Sequence, residues 1–164
     1  MKMRSNVALM VAAMIAAAGV SASPAFAHDA HGGGAHQLFS AGEPGDPKKP
    51  ARIVQVTMRE TDGKMVFIPD RVDVRRGEQV RFILRNSGAL DHEFLLATTD
   101  ENLKHAEAMK KNPEMEHDEP NGRRVTPGKA DEIVWRFTKT GEFEFACLIP
   151  GHREAGMLGK IVVK

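Results

Sequence analysis

The sequence predicts an all-β sandwich, and three observations carry that expectation. From residue 52 onward, β-branched and aromatic residues alternate with polar ones in short runs. Gly, Pro, Asn and Ser separate the runs at turn-like intervals. A single stretch, residues 99–117, departs from this pattern and begins with helical spacing. Roughly seven or eight short strands with one short helical insertion make one domain with a modest core and no internal repeat.

The elements follow in order. Ile53, Val54, Val56 and Met58 form a first β-rich run, and residues 65–68 a second, stopped by Pro69. Val72 and Val74 alternate with charged neighbours, and Gly77 supplies a turn. Val80, Phe82 and Leu84 share one face of the next strand, which Asn86-Ser87-Gly88 breaks. Residues 93–97 form another short strand. Thr99 or Asp100 caps a helix running through Met109 or Lys111, with Leu103, Ala106 and Met109 on its buried face and Pro113 ending it. A polar loop over 118–124 leads to a strand at 133–137. Thr140-Gly141 turns the chain, and Phe143, Phe145 and Cys147 then face inward, opposite Glu142, Glu144 and Ala146. Residues 159–164 form the final strand.

The N-terminus reads as a Sec-type signal peptide over residues 1–27. Lys2 and Arg4 precede an apolar run at 7–20, and Ala25-Phe26-Ala27 fits a small-x-small cleavage site, with no twin arginine. Export to the periplasm with no stable membrane insertion after cleavage is the expectation. The whole chain has 23 Lys plus Arg and 22 Asp plus Glu. Removing Lys2 and Arg4 leaves the mature chain within about one charge of neutrality, with no global drive toward nucleic acid or an anionic membrane. Residues 28–50 are rich in Gly, Pro, His and charge and read as a flexible arm. The domain proper is expected over 51–164.

Cys147 is the single cysteine, so no intramolecular disulfide is available to it. A buried free thiol would be the plain reading of a lone cysteine. Here His152 and Met157 follow within one loop, Cys147-Leu148-Ile149-Pro150-Gly151-His152-Arg153-Glu154-Ala155-Gly156-Met157. Thiolate, imidazole and thioether together suit copper better than zinc, calcium or magnesium. His92, directly after the turn that ends the strand at 80–84, is the best candidate for a second imidazole. The four residues then make the donor set of a type 1 copper centre, with Met157 as a weak axial ligand. Cys147 must bind as the thiolate, which a nearby cation favours. Pro150 and Gly151 stiffen and turn the loop, and Gly156 lets Met157 reach back.

Cys147-x-x-Pro150-Gly151-His152-x-x-x-Gly156-Met157, preceded by His92-Glu93-Phe94, resembles the plastocyanin/azurin family of cupredoxins. The Cys-x4-His-x4-Met spacing is similar to that of auracyanin and rusticyanin. Phe67-x-Pro69-x-x-Val72-x-Val74-x-x-Gly77-x-x-Val80-x-Phe82 resembles the family's early strands. The resemblance implies a Greek-key sandwich with one copper near one end. It makes His92 and His152 the equatorial nitrogen ligands, Cys147 the equatorial thiolate and Met157 the axial ligand. Glu93 departs from the pattern: many relatives carry Asn or Ser there, tying the two ligand loops together.

Other soft or borderline donors lie outside this set. His28, His31 and His36 sit in the arm, His105 and Met109 are spaced i, i+4 on the helix, and Met115 and His117 follow it. Each is a candidate accessory copper ligand. A soluble tail and an ordinary buried helix stripe are the plain alternatives. The His-rich arm is similar to that of periplasmic copper-tolerance cupredoxins of the CopI type, which implies copper binding, redox handling and copper tolerance, with additional copper at the arm. The alternative is a soluble electron shuttle with a redox partner protein, using the edge of His152. An N-terminal histidine brace at His28 is a third, oxygenase-type alternative. No catalytic residue is assigned, and the chain is expected not to be an enzyme.

Overall fold

Alternation at every second residue builds the sheets. The computed structural model describes residues 39–112 and 119–164. Its elements are β1 (Glu43–Pro44), β2 (Arg52–Thr61), β3 (Lys64–Ile68), β4 (Arg71–Val74), β5 (Gln79–Asn86), β6 (His92–Ala97), α1 (Thr99–Lys111), β7 (Gly122–Val125), β8 (Ala130–Arg136), β9 (Gly141–Ala146) and β10 (Leu158–Val163). Two five-stranded sheets result, in the orders β1-β8-β5-β2-β3 and β4-β10-β9-β6-β7. The pairs β2·β5 and β4·β10 are parallel, and every other pair is antiparallel. The expected Greek-key sandwich is what forms.

Val54, Val56 and Met58 of β2 and Val80, Phe82 and Leu84 of β5 turn into the space between the sheets, where Ile133 and Trp135 of β8 join them. The second sheet answers with Phe94, Phe143, Phe145, Ile161 and Val163. Phe94 stacks on Phe145, ring centres 5.0 Å apart, while Phe67 meets Phe145 edge-on at 5.1 Å. Aromatic pairs of this kind add about 0.5–1.5 kcal/mol each beyond their buried area.

α1 starts one residue earlier than the sequence suggests. Thr98 is the N-cap: its side chain accepts from the Glu101 N–H, and the Glu101 carboxylate accepts from the Thr98 N–H. Leu103, expected on the buried face, is 45% exposed. Met109 is buried with Ala106 packed beside it, as expected, and Asn102 is buried in place of Leu103. α1 covers the outer face of β6 and β9, so Met109, Leu95, Ala146 and Leu148 form a second small core. Glu144 and Ala146, expected to face outward, are therefore buried as well.

Two further expectations change. The loop expected over 118–124 contains β7, whose Arg123 and Arg124 pair with Phe94 and Glu93 on the sheet edge. The arm expected to be flexible through residue 50 is tied to the first sheet from Phe39 onward. Ala41 is buried, its carbonyl accepts from Trp135 Nε1 at 3.2 Å, and β1 pairs with β8. Gly45 N–H reaches Val134 O at 2.8 Å. Phe39 stands edge-on to Trp135 at 5.2 Å. The exposed edge of β8 needs hydrogen-bond partners, and this segment supplies them. Among the described residues, no helix is long and apolar enough to cross a membrane.

Candidate metal centre

β6 and β9 are antiparallel neighbours with Leu95 opposite Ala146, so the start of β6 runs beside the end of β9. His92 is the first residue of β6, and Cys147 follows the last residue of β9. The sequence reading brought His92 in from the turn end of β5. That turn crosses between the sheets, and it is β6 that delivers the imidazole.

The loop from Cys147 to Met157 closes on itself. Cys147 N–H donates to Met157 O at 3.1 Å, Met157 N–H to His152 O at 3.1 Å, and His152 N–H to Ile149 O at 3.0 Å. Gly156 has φ +101°, a backbone state that only glycine adopts readily, and there the chain turns back so that Met157 is buried in the core. Met65 N–H holds the loop to β3 through Ala155 O at 3.1 Å. Arg153, next to His152, forks onto the Glu144 carboxylate at 3.2 and 2.9 Å.

His92, Cys147 and His152 bring one ligand atom each to within 4.8 Å of one another, and all three are buried. Cys147 Sγ lies 3.3 Å from His152 Nδ1, and the two imidazole rings meet at an interplanar angle of 66°. Glu93 N–H points at Cys147 Sγ from 3.3 Å. Met157 is buried, and its backbone bonds to Cys147 and His152 keep it in the same closed loop. Met109 stays apart in the core beneath α1, and His105, half-buried, lines a cavity between α1 and β6 with Asn102 and Asn121. His28, His31, His36, Met115 and His117 lie outside the described residues.

Burial dominates the electrostatics. It pushes the Cys147 thiol up to about 12, and the Glu93 N–H and the more distant Arg124 cation offset only part of that. It holds the His92 and His152 imidazoles below the usual histidine range. Both rings are thus neutral at neutral pH, the form that binds metal. Burial also lifts the Glu93 carboxyl to about 7, opposed by Arg124 and by the Leu148 backbone N–H. The contact that joins the start of β6 to the loop after β9 is the Glu93 backbone N–H directed at Cys147 Sγ.

Two residues near the centre went unassigned in the sequence reading, and both carry a signal. Asn86 is the last inward position of β5; it bonds Leu90 O at 2.7 Å and Val125 O at 2.8 Å. Glu60 continues the inward phase of Val54, Val56 and Met58 on β2, and its Oε1 lies 3.0 Å from His92 Nε2. A polar residue in an inward slot is the mark of both.

The donor set fits copper. One sulfur and two imidazole nitrogens converge in a buried space, and His92 Nδ1 is buried with no hydrogen-bond partner among the described residues. A two-sheet sandwich carrying such a group at one end defines a small copper protein. The chain belongs to the copper-binding plastocyanin/azurin family, whose model matches residues 54–164. It is 46% identical over 160 residues to the copper-resistant cuproprotein CopI of Rubrivivax gelatinosus, covering 96% of this chain and 95% of that one. It is 34% identical over 185 residues to the CopI of Pseudomonas aeruginosa, covering 95% and 94%. Auracyanin B superposes with a TM-score of 0.61 at 22% identity, over 76% of this chain and 96% of that one, a likeness of fold. Copper is accordingly the cofactor of this chain.

Proposed function

We propose that the chain is an exported, redox-active periplasmic protein that holds one type 1 copper and contributes to copper handling and tolerance. His92, Cys147 and His152 would be its strong ligands and Met157 a weak fourth one. The carrying observation is the convergence of His92, Cys147 and His152 within 4.8 Å, in a chain so similar over its length to copper-resistant cuproproteins.

Bound copper supplies a one-electron Cu(II)/Cu(I) couple. The protein does the rest. Cys147 loses its proton to bind as thiolate, with the Glu93 N–H directed at the sulfur. His92 and His152 bind as neutral rings. The self-closed loop would hold these donors in one arrangement, and their burial would exclude water from the metal. Copper held there would exchange one electron with the redox centre of a partner protein, the electron given up by one centre being taken up by the other. The chain acts as a copper binder rather than an enzyme. After removal of residues 1–27, His28, His31 and His36 capture or pass copper.

Metal analysis with visible and EPR spectra tests this. One copper lost on Cys147→Ser, and further copper lost on replacing His28, His31 and His36, is the expected result. Deleting the gene should slow growth in high copper; unchanged growth would overturn the tolerance role. One observation favours a second reading, a soluble electron shuttle: His152 is 8% exposed where His92 is 0% exposed, which gives the electron an exit. Rapid oxidation or reduction by a partner protein, with tolerance unaffected, would select it.

A further inference from the structure

We infer that Glu60 is a positioning residue for the copper site, accepting the Nε2–H of His92, fixing which ring nitrogen faces the metal and holding a negative charge behind it. The inference rests on His92 being a ligand.

The argument begins with β2. Val54, Val56 and Met58 are buried at alternate positions, and Glu60 takes the next inward slot, which an apolar residue would normally occupy. The carboxylate is held there by the chain that precedes His92. Ala89 N–H donates to Oε2 at 2.9 Å and Leu90 N–H to Oε1 at 3.1 Å. Ser87 N–H reaches Met58 O at 2.9 Å, carrying the β2 ladder into the same loop. Gly88 allows the approach, because a Cβ there would sit 2.3 Å from Glu60 Oε2. Residues 88–90 are thus wrapped around one carboxylate, and His92 follows two residues later.

Two backbone N–H groups need only a neutral oxygen. A carboxylate adds a charge, and that charge stands 3.0 Å from His92 Nε2. The pair is at ion-pair distance but off the line of a well-aligned hydrogen bond, since Nε2 has no aligned partner. Such contacts commonly tighten only when the site is loaded. With Nε2 turned to Glu60, the buried and unpartnered Nδ1 is the atom left for the metal. A carboxylate on the outer nitrogen of a metal-bound imidazole fixes its tautomer and raises its basicity. It stabilises the more highly charged metal ion more, so Glu60 favours Cu(II) over Cu(I).

Glu60→Gln tests this in the full-length protein. The amide keeps the shape and an oxygen for the loop N–H groups while removing the charge. Cu(II) affinity should fall about 10- to 100-fold, the usual cost of losing such a partner. The Cu(II)/Cu(I) equilibrium should move about tenfold toward Cu(I), a rise of about 59 mV for one electron. A lower melting temperature with an unchanged potential would make Glu60 a loop clamp only and overturn the inference. A wild-type protein that binds copper without a thiolate absorption band would instead overturn the site reading itself. Nitrogen NMR of the wild-type Cu(I) form gives a result that does not depend on the variant folding. His92 should carry its proton on Nε2; a proton on Nδ1 would overturn the inference.

Discussion

The backbone N–H of Glu93 is directed at the Cys147 sulfur from 3.3 Å, yet burial keeps the thiol protonated up to about pH 12. The donor favours the thiolate, and the low-dielectric surroundings disfavour it more. Without metal, Cys147 is therefore a thiol and slow to alkylate at pH 8 despite being the only cysteine. Copper binding must expel that proton, while the two imidazoles are already neutral. Close to one proton should be released per copper between about pH 7 and 9, measurable with a pH-stat in weakly buffered solution. Release of none would mean that the thiolate is preformed.

Glu93 predicts a pH dependence of stability in the metal-free protein. Its carboxyl rises from 4.5 to about 7 on folding, because it is buried. The native state then holds a proton that the unfolded state has lost, so this group's contribution falls as pH rises from about 4.5 to 7 and is level above. The two depressed histidines act in the opposite sense, gaining stability as pH rises toward their unfolded value of 6.5. Comparison with Glu93→Gln, which leaves the histidines in place, isolates the carboxyl. The variant should match the wild type near pH 4.5 and exceed it by up to about 3 kcal/mol at pH 7.5 in urea titrations. A constant difference across that range would place the ionisation elsewhere.

How much of the sequence pointed to this arrangement follows from how local each contact is. Cys147, His152 and Met157 share one loop, so their chemistry stands out in a single stretch of residues. His92 lies far from that stretch, and placing it beside Cys147 takes an inference about which strand ends meet. Glu60 lies 3.0 Å from His92 Nε2 but reaches it from another sheet, across a contact set by topology. Its signal was an acid in the inward phase of β2. β7 escaped notice because Arg123 and Arg124 suit an edge strand as well as they suit a loop. Leu103 and Asn102 exchange their expected places because Glu144, buried beneath α1, takes the Asn102 amide as a donor at 3.2 Å. Apolar spacing alone cannot anticipate a helix face chosen by a buried carboxylate.

The segment from Phe39 to Pro50 is part of the folded domain, and its removal should be costly. Trp135 is the only tryptophan, and its indole N–H is satisfied by Ala41 O at 3.2 Å. A chain beginning at residue 51 would lose that acceptor, the edge contact with Phe39 and the β1 pairing, leaving a buried donor without a partner. Its melting temperature should fall and its tryptophan emission should shift to the red as water reaches the ring. An unchanged emission maximum would mean that the segment merely lies on the surface.

Arg153 and Glu144 connect α1 to the copper loop, and that connection can be cut at one residue. Both Glu144 oxygens accept from the Arg153 fork, and Thr99 Oγ1 and Asn102 Nδ2 add bonds from the helix at 3.3 and 3.2 Å. The Glu144 side chain is 8% exposed and that of Arg153 22%. Arg153→Ala leaves a buried carboxylate with neutral donors alone, at a cost of roughly 2–3 kcal/mol, the low end for breaking a buried pair because the guanidinium is partly wet. Glu144→Gln with Arg153→Ala should recover part of that loss, since no buried charge remains. The position of Arg153 beside His152 makes a second expectation separable from the first. Copper transfer to a competing chelator should speed up in Arg153→Ala, because the backbone carrying His152 is then held only by the loop's own hydrogen bonds and the Met65–Ala155 bond to β3. If stability falls while transfer stays at the wild-type rate, the self-closed ring from Cys147 to Met157 is sufficient to hold the ligand, and the pair serves the helix alone.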